Sequence, residues 1–227
     1  MLIRCVTASL SLILIAAPAW AEADRDDQVW TSLNVTKSVV EDVDLLLELH
    51  SRYTDDAGRI GQVLVRPSLT WRLPGGVSVA AGYLYVRDRP VNAAANDEHR
   101  SWQQIGYTFH TGREGLAITG RTRVEQRFRP NSIGMGWRIR QQVRAQLPLP
   151  LPRTNIRALV WNETFVGLND TRWGARAGVD QVRTFIGASV PLTDEIGLEP
   201  GYLNQTVFRR GPDAVNHIVA ANLLVRF

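Results

Sequence analysis

Long runs of this sequence alternate between apolar and polar residues at every second position. The alternation is clearest over residues 115–129 and 135–148, where the apolar residues include Ile118, Val124 and Ile139. A period of two indicates β-strands with two chemically different faces. No segment of comparable length shows a convincing helical period of 3.6 residues. The sequence therefore predicts an all-β fold.

Eleven such runs can be counted. Several contain twelve or more residues, whereas strands of soluble proteins usually have about five or six and a tilted strand that crosses a bilayer needs about 9–11. Short connections alternate with longer polar ones, which is typical of outer-membrane barrels. The runs lie near 28–37, 43–53, 60–73, 76–88, 98–110, 115–129, 135–148, 154–166, 178–190, 196–208 and 215–227.

These features predict a single antiparallel transmembrane β-barrel of about 10–12 strands. Eleven is an odd number, and bacterial barrels have even numbers of strands. We therefore expect that one run is not a wall strand or that one has been merged or missed. The weakest assignments are the first run and the region around Trp173.

Residues 1–21 are predicted to form a signal peptide. Arg4 precedes an apolar run over 5–17, and Ala19 and Ala21 form a small-residue cleavage site. The apolar run is too short for a membrane-spanning helix. The predicted domains are therefore a signal peptide at 1–21, cleaved after Ala21, and an outer-membrane barrel at 22–227. Cys5 is the single cysteine of the sequence, so the exported part offers neither a thiol nucleophile nor a thiolate metal site.

The last strand ends on an aromatic residue. Leu223, Val225 and Phe227 alternate with polar or smaller residues up to the end of the sequence. This pattern resembles the assembly signal of bacterial outer-membrane barrels. We therefore expect a location in the bacterial outer membrane. The expected partners are outer-membrane lipids, lipopolysaccharide and the barrel-assembly machinery.

Six segments occur together in this sequence: NDEHRSWQQIGY (96–107), RTRVEQRF (121–128), RIR (138–140), WNETF (161–165), DQVRTFIGASV (180–190) and LEPGYLNQ (198–205). This arrangement resembles the domain-of-unknown-function 2490 family of predicted bacterial outer-membrane proteins. The resemblance covers most of the chain after residue 21 and implies a β-barrel with an outer-membrane address. It implies no activity, cofactor or catalytic residue.

Arginines dominate the polar positions of two neighbouring strands. If the polar faces point inward, they form ladders that attract anions, because guanidinium groups bind carboxylates and phosphates in a bidentate way. A small pore for anionic or polar solutes is one interpretation. A closed structural or adhesive barrel filled by an Arg–Glu–Gln network is the alternative, because barrels of this size can be filled by side chains. The candidate lumen or ligand residues are Arg121, Arg123, Glu125, Arg127, Arg129, Arg138, Arg140, Arg144, Arg157 and Glu163.

A lipid-modifying enzyme is a third hypothesis, which would use a histidine such as His50 or His99. The local motifs of nucleophile-elbow hydrolases, zinc peptidases and P-loop proteins are absent from the sequence. We therefore assign no catalytic residue, no metal site and no cofactor. Nucleic acid is not an expected partner, because the arginines alternate along strands and form no basic tail.

Overall fold

The computed structural model describes residues 23–109, 115–152 and 154–227, and eleven strands in them form one closed barrel. A single 3₁₀ turn, Pro74–Gly76, connects β3 to β4. No helix among the described residues has the length and apolarity needed to cross a bilayer. The strands are β1 (Asp24–Val40), β2 (Val43–Thr54), β3 (Arg59–Leu73), β4 (Val77–Asp88), β5 (Asn96–Phe109), β6 (Ala117–Phe128), β7 (Gly136–Pro148), β8 (Arg157–Gly167), β9 (Gly178–Pro191), β10 (Ile196–Val207) and β11 (Ala214–Arg226).

The barrel closes by pairing its first and last strands in parallel. Every other neighbouring pair is antiparallel, in chain order from β1 to β11. The parallel seam holds an unbroken register from Asp24↔Ala214 to Thr36↔Arg226. The prediction of an all-β closed barrel is confirmed. The expectation that one run is not a wall strand, or that one had been merged or missed, was wrong, because all eleven strands lie in the wall and a parallel seam lets an odd number of strands close. The barrel is accordingly not antiparallel throughout.

The connections between strands lie at two distinct ends. The turn end carries the β1–β2, β3–β4, β5–β6, β7–β8 and β9–β10 connections, and the loop end carries the other five. The region around Trp173 belongs to the loop end and contains no strand between residues 168 and 177. Because β1 and β11 run parallel, β1 begins at the loop end whereas β11 finishes at the turn end.

The two faces of the wall differ sharply in chemistry. Leu45, Leu47 and Leu49 alternate along β2 on the outer face, and each is exposed. Between them lies Glu48, whose carboxylate is paired with Arg66 at 2.9 Å inside the barrel. The apolar set of each alternating run therefore faces outward and the polar set faces inward. Further exposed apolar residues of the outer face are Leu69, Trp71, Ile105, Val143, Val160, Ile186, Tyr202 and Val219.

Side chains pack the middle of the barrel interior. One buried cluster contains Leu84 and Trp102 from β4 and β5, and a second contains Leu159, Phe185 and Ile218 from β8, β9 and β11. Trp161 stacks on Phe185 with ring centroids 5.4 Å apart. Each strand except β2 has at least one buried residue whose side chain points into the barrel at or near its middle. In the described part of the chain, buried side chains therefore pack across the middle of the interior.

Candidate functional site

A chamber of about 700 Å³ lies inside the loop end of the barrel. Its walls include residues of β1 to β11 and of the β2–β3 and β4–β5 connections. Eleven arginines and seven carboxylates line it, so its lining is cationic. Trp30 and Phe165 provide aromatic surface among these charges. A chamber of this size is comparable to small-molecule sites, which usually measure about 300–1,000 Å³.

A buried network of charges from β6, β7 and β8 borders the chamber. Arg138 donates two hydrogen bonds to one oxygen of Glu125, at 3.0 and 2.6 Å, and Arg140 donates one to the other oxygen at 2.8 Å. Arg140 also donates to both oxygens of Glu163 at 2.8 Å. Glu125 is fully buried and Glu163 nearly so. Because buried charges must be paired and hydrogen-bonded, this network stabilises the interior only as a complete set.

Three arginines of the chamber wall form ion pairs with the Glu98 carboxylate. Arg100 and Arg127 donate to Glu98 Oε1 at 2.7 and 2.6 Å, and Arg129 Nε lies 3.5 Å from Oε2. Arg127 and Arg129 also lie against the Trp173 ring, whose indole nitrogen donates to the Gly134 carbonyl at 2.8 Å. The β8–β9 connection is thereby fixed to this part of the wall.

Among the described residues, five arginines of the chamber lining form no ion pair: Arg25, Arg52, Arg59, Arg89 and Arg183. Arg52 and Arg183 are the two of these that lie over an aromatic ring. Both lie over the same Trp30 ring, with guanidinium carbons 3.8 and 4.9 Å from its centroid. Arg52 donates only to the amide oxygen of Gln62, at 2.8 Å, and its Nε is buried without a partner among the described residues. Arg183 donates to the Gln181 side-chain oxygen at 3.4 Å, so both guanidinium groups have amide partners and no carboxylate partner among the described residues.

The predicted arginine ladders divide between the chamber and the rest of the interior. Arg127, Arg129, Arg138 and Arg140 line the chamber, whereas Arg121, Arg123, Arg144, Arg157, Glu125 and Glu163 do not.

The four remaining arginines have partners nearer the middle or the turn end. Arg121 pairs with Glu163 at 2.9 Å, and Arg144 pairs with Glu199. Arg123 donates to Gln104 at 3.0 and 2.8 Å and lies 3.8 Å over Trp102. Arg157 donates to the backbone carbonyls of Gly115 and Gln146 and so braces the turn end. These arginines hold the interior together and do not face the chamber.

Comparison with known families identifies the chain. The model of the family described as "Protein of unknown function (DUF2490)" matches residues 27–216. The chain belongs to this family. An uncharacterized protein of Methylorubrum extorquens is 36% identical over 225 residues, which cover 99% of this chain and 98% of that protein. The expected family membership is confirmed, and it carries no activity with it.

The sequence of this DUF2490 protein indicates only that Arg183 could join the arginine ladders from a later strand, and it does not distinguish Arg52 from the other polar residues of β2. Arg52 stands in the polar set of β2 next to His50, and Arg183 stands on β9, two strands beyond the dense ladder. Alternation indicates that both face inward. It gives no sign that Arg52 and Arg183 approach the same Trp30 ring, because β2 and β9 are not neighbours in the wall.

The described histidines do not form a catalytic pair with a serine. His99 and His217 bond the hydroxyl groups of Tyr83 and Tyr202 on the outer face. His50 faces Ser32 across β1 and β2, but the Ser32 hydroxyl donates to Asn222 Oδ1 at 2.7 Å. His110 lies outside the described residues. No group of three or more metal-ligating side chains occurs in the described part of the chain.

The C-terminal residues belong to the parallel seam. The Phe227 amide donates to the Thr36 carbonyl at 3.0 Å, and the Phe227 ring is exposed on the outer face together with Leu223. The proposed assembly signal is thus an accessible apolar edge at the turn end. Its recognition by assembly machinery stays a prediction, as do the signal peptide and its cleavage after Ala21, which lie outside the described residues.

Proposed function

We propose that this protein is a bacterial outer-membrane β-barrel that binds a small anionic solute in its loop-end chamber and does not conduct it. This is a closed binding barrel, in contrast to a pore. The observation that carries the proposal is the packed middle of the interior beneath an arginine-rich chamber.

The outward-facing residues support a membrane location. Exposed Leu, Ile, Val, Trp and Tyr side chains surround the wall, while ion pairs fill the interior. Contiguous apolar surface of that extent is rare on soluble monomers, whereas lipid-facing strands of membrane barrels alternate in this way. Strands of 11 to 17 residues are long enough to cross a bilayer. The polar loop end would face outward, and the shorter connections would face the periplasm.

The filled interior favours binding over conduction. Buried Trp102, Phe165, Phe185 and Leu159 occupy the space that a solute would have to cross. Arg123, Arg140 and Glu163 occupy much of the remainder and are themselves paired or stacked. A solute could therefore enter the chamber from the loop end and leave only by the same route.

Fractionation of the expressed full chain tests the membrane part of the proposal. Membranes of a Gram-negative host are separated by density, and the protein is expected in the outer-membrane fraction, as a band whose gel mobility shifts on heating. A variant with Val225 and Phe227 both changed to Ser is expected to accumulate outside that fraction, because the apolar C-terminal pattern is lost. Recovery of the unaltered chain in the soluble periplasmic fraction would overturn the proposal.

A further inference from the structure

We propose that Arg52 and Arg183 form a site for a doubly charged oxyanion of the phosphate-monoester type. This inference rests on the proposed function and adds to it the residues and the ligand class. The carboxylates of the chamber are largely engaged elsewhere. Glu98 forms ion pairs with three arginines, and Asp180 forms one with Arg138. Asp26 accepts hydrogen bonds from the Gln28 side chain and from two backbone amides.

The two guanidinium groups share one aromatic ring and have no carboxylate partner among the described residues. Both approach the Trp30 ring, and Arg183 also lies 4.7 Å over Phe165. Aromatic faces attract cations, but they do not neutralise two like charges in a partly enclosed chamber. Such charges require a counter-ion. An anion from solution would supply it, and two positive charges match a dianion.

The surrounding donors favour a phosphate group over a single carboxylate. A tetrahedral phosphate has three or more oxygens for two separate guanidinium forks. Arg100 also lines the chamber, but its Nε donates to Glu98 at 2.7 Å, so its charge is already paired. Gln181 and Gln205 lie beside Arg183 in the lining and could bond hydroxyl groups. The space of about 700 Å³ admits a polar group of sugar size attached to the phosphate.

Isothermal titration of the purified full chain in detergent micelles at low salt tests the site, with inorganic phosphate and acetate as probes. We expect saturable binding of phosphate, weaker binding of acetate, and a loss of phosphate affinity of about tenfold or more in Arg52→Gln and in Arg183→Gln. The control is Arg172→Gln, which removes the same charge at the loop end outside the chamber lining. It should bind phosphate like the unaltered chain.

Three results would overturn the inference: no saturable phosphate binding, phosphate affinity of the two variants equal to that of the unaltered chain, or acetate binding as tight as phosphate binding. Thermal unfolding of the unaltered chain provides a test that does not depend on variant folding. Phosphate should raise the midpoint more than chloride at the same ionic strength, and no difference between the salts would also overturn the site. Preferential acetate binding would leave the anion-binding function standing and reject only the ligand class. Tight phosphate binding by a protein that also conducts ions would support the phosphate site and reject the closed barrel of the proposed function.

Discussion

At the scale of single residues, Glu125 has the most demanding environment in the barrel. It is fully buried, and three hydrogen bonds from Arg138 and Arg140 satisfy its two oxygens. Taking these charges out of water is costly, and only complete pairing offsets the cost. If the Glu125 charge were lost, Asp180 would be the remaining carboxylate partner of Arg138, and Glu163 would be the remaining partner of Arg140.

Glu125→Gln is expected to lower the free energy of unfolding by about 3 kcal/mol, because it leaves buried guanidinium groups partly unpaired. The substitution keeps the size of the side chain, so the effect reports charge and hydrogen bonding. Urea unfolding in lipid vesicles, followed by tryptophan fluorescence, measures it. Glu195→Gln, at an exposed position of the β9–β10 turn, is the control and should change stability by less than about 0.5 kcal/mol. Equal stability of Glu125→Gln and the unaltered chain would show that the network does not hold the interior.

At the scale of strands, the parallel seam between β1 and β11 distinguishes this barrel. Ser32 and Asn222 are register partners across the seam, and their side chains bond at 2.7 Å inside the barrel. Parallel partners lie about 4.8 Å apart between strands, within the Cα separation of about 4.4–6.8 Å that a disulfide accepts.

A cysteine pair at Ser32 and Asn222 is expected to form a disulfide on mild oxidation in a chain whose Cys5 is replaced by Ser. Non-reducing electrophoresis of the unfolded protein detects the resulting loop as a change in mobility. The matched control pairs Ser32→Cys with Asn216→Cys, since Asn216 is the partner of Asp26 and lies six residues along the seam. Cross-linking of the control in preference to the first pair would contradict the parallel register.

The strands could be predicted from the sequence, whereas the way the barrel closes could not. The predicted run 43–53 and the observed β2, Val43–Thr54, differ by one residue, because period two is encoded locally in side-chain chemistry. Seam direction depends on how two strands at opposite ends of the chain meet, and no local pattern specifies it. Likewise, alternation predicts that Arg52 and Arg183 face inward, but which side chains reach Trp30 depends on the curvature of the closed wall.

At the scale of the whole molecule, charged and apolar side chains are placed in the opposite way from those of a soluble protein. Ion pairs such as Arg140–Glu163 fill the interior, while residues such as Leu69 and Val219 cover the exterior. Side chains close the middle, and the chamber occupies the loop end alone. A barrel with this distribution suits a lipid environment. The proposed function follows from this arrangement: a solute binds in the chamber and is not conducted.

Planar-bilayer recording of the purified protein tests this account most directly. The packed interior predicts that reconstituted barrels, shown to be folded by their heat-dependent gel mobility, leave the membrane current at its leak level under applied voltage. Stable unitary conductance steps with a preference for anions, reduced when Arg123 is changed to Gln, would contradict the closed barrel and establish a pore.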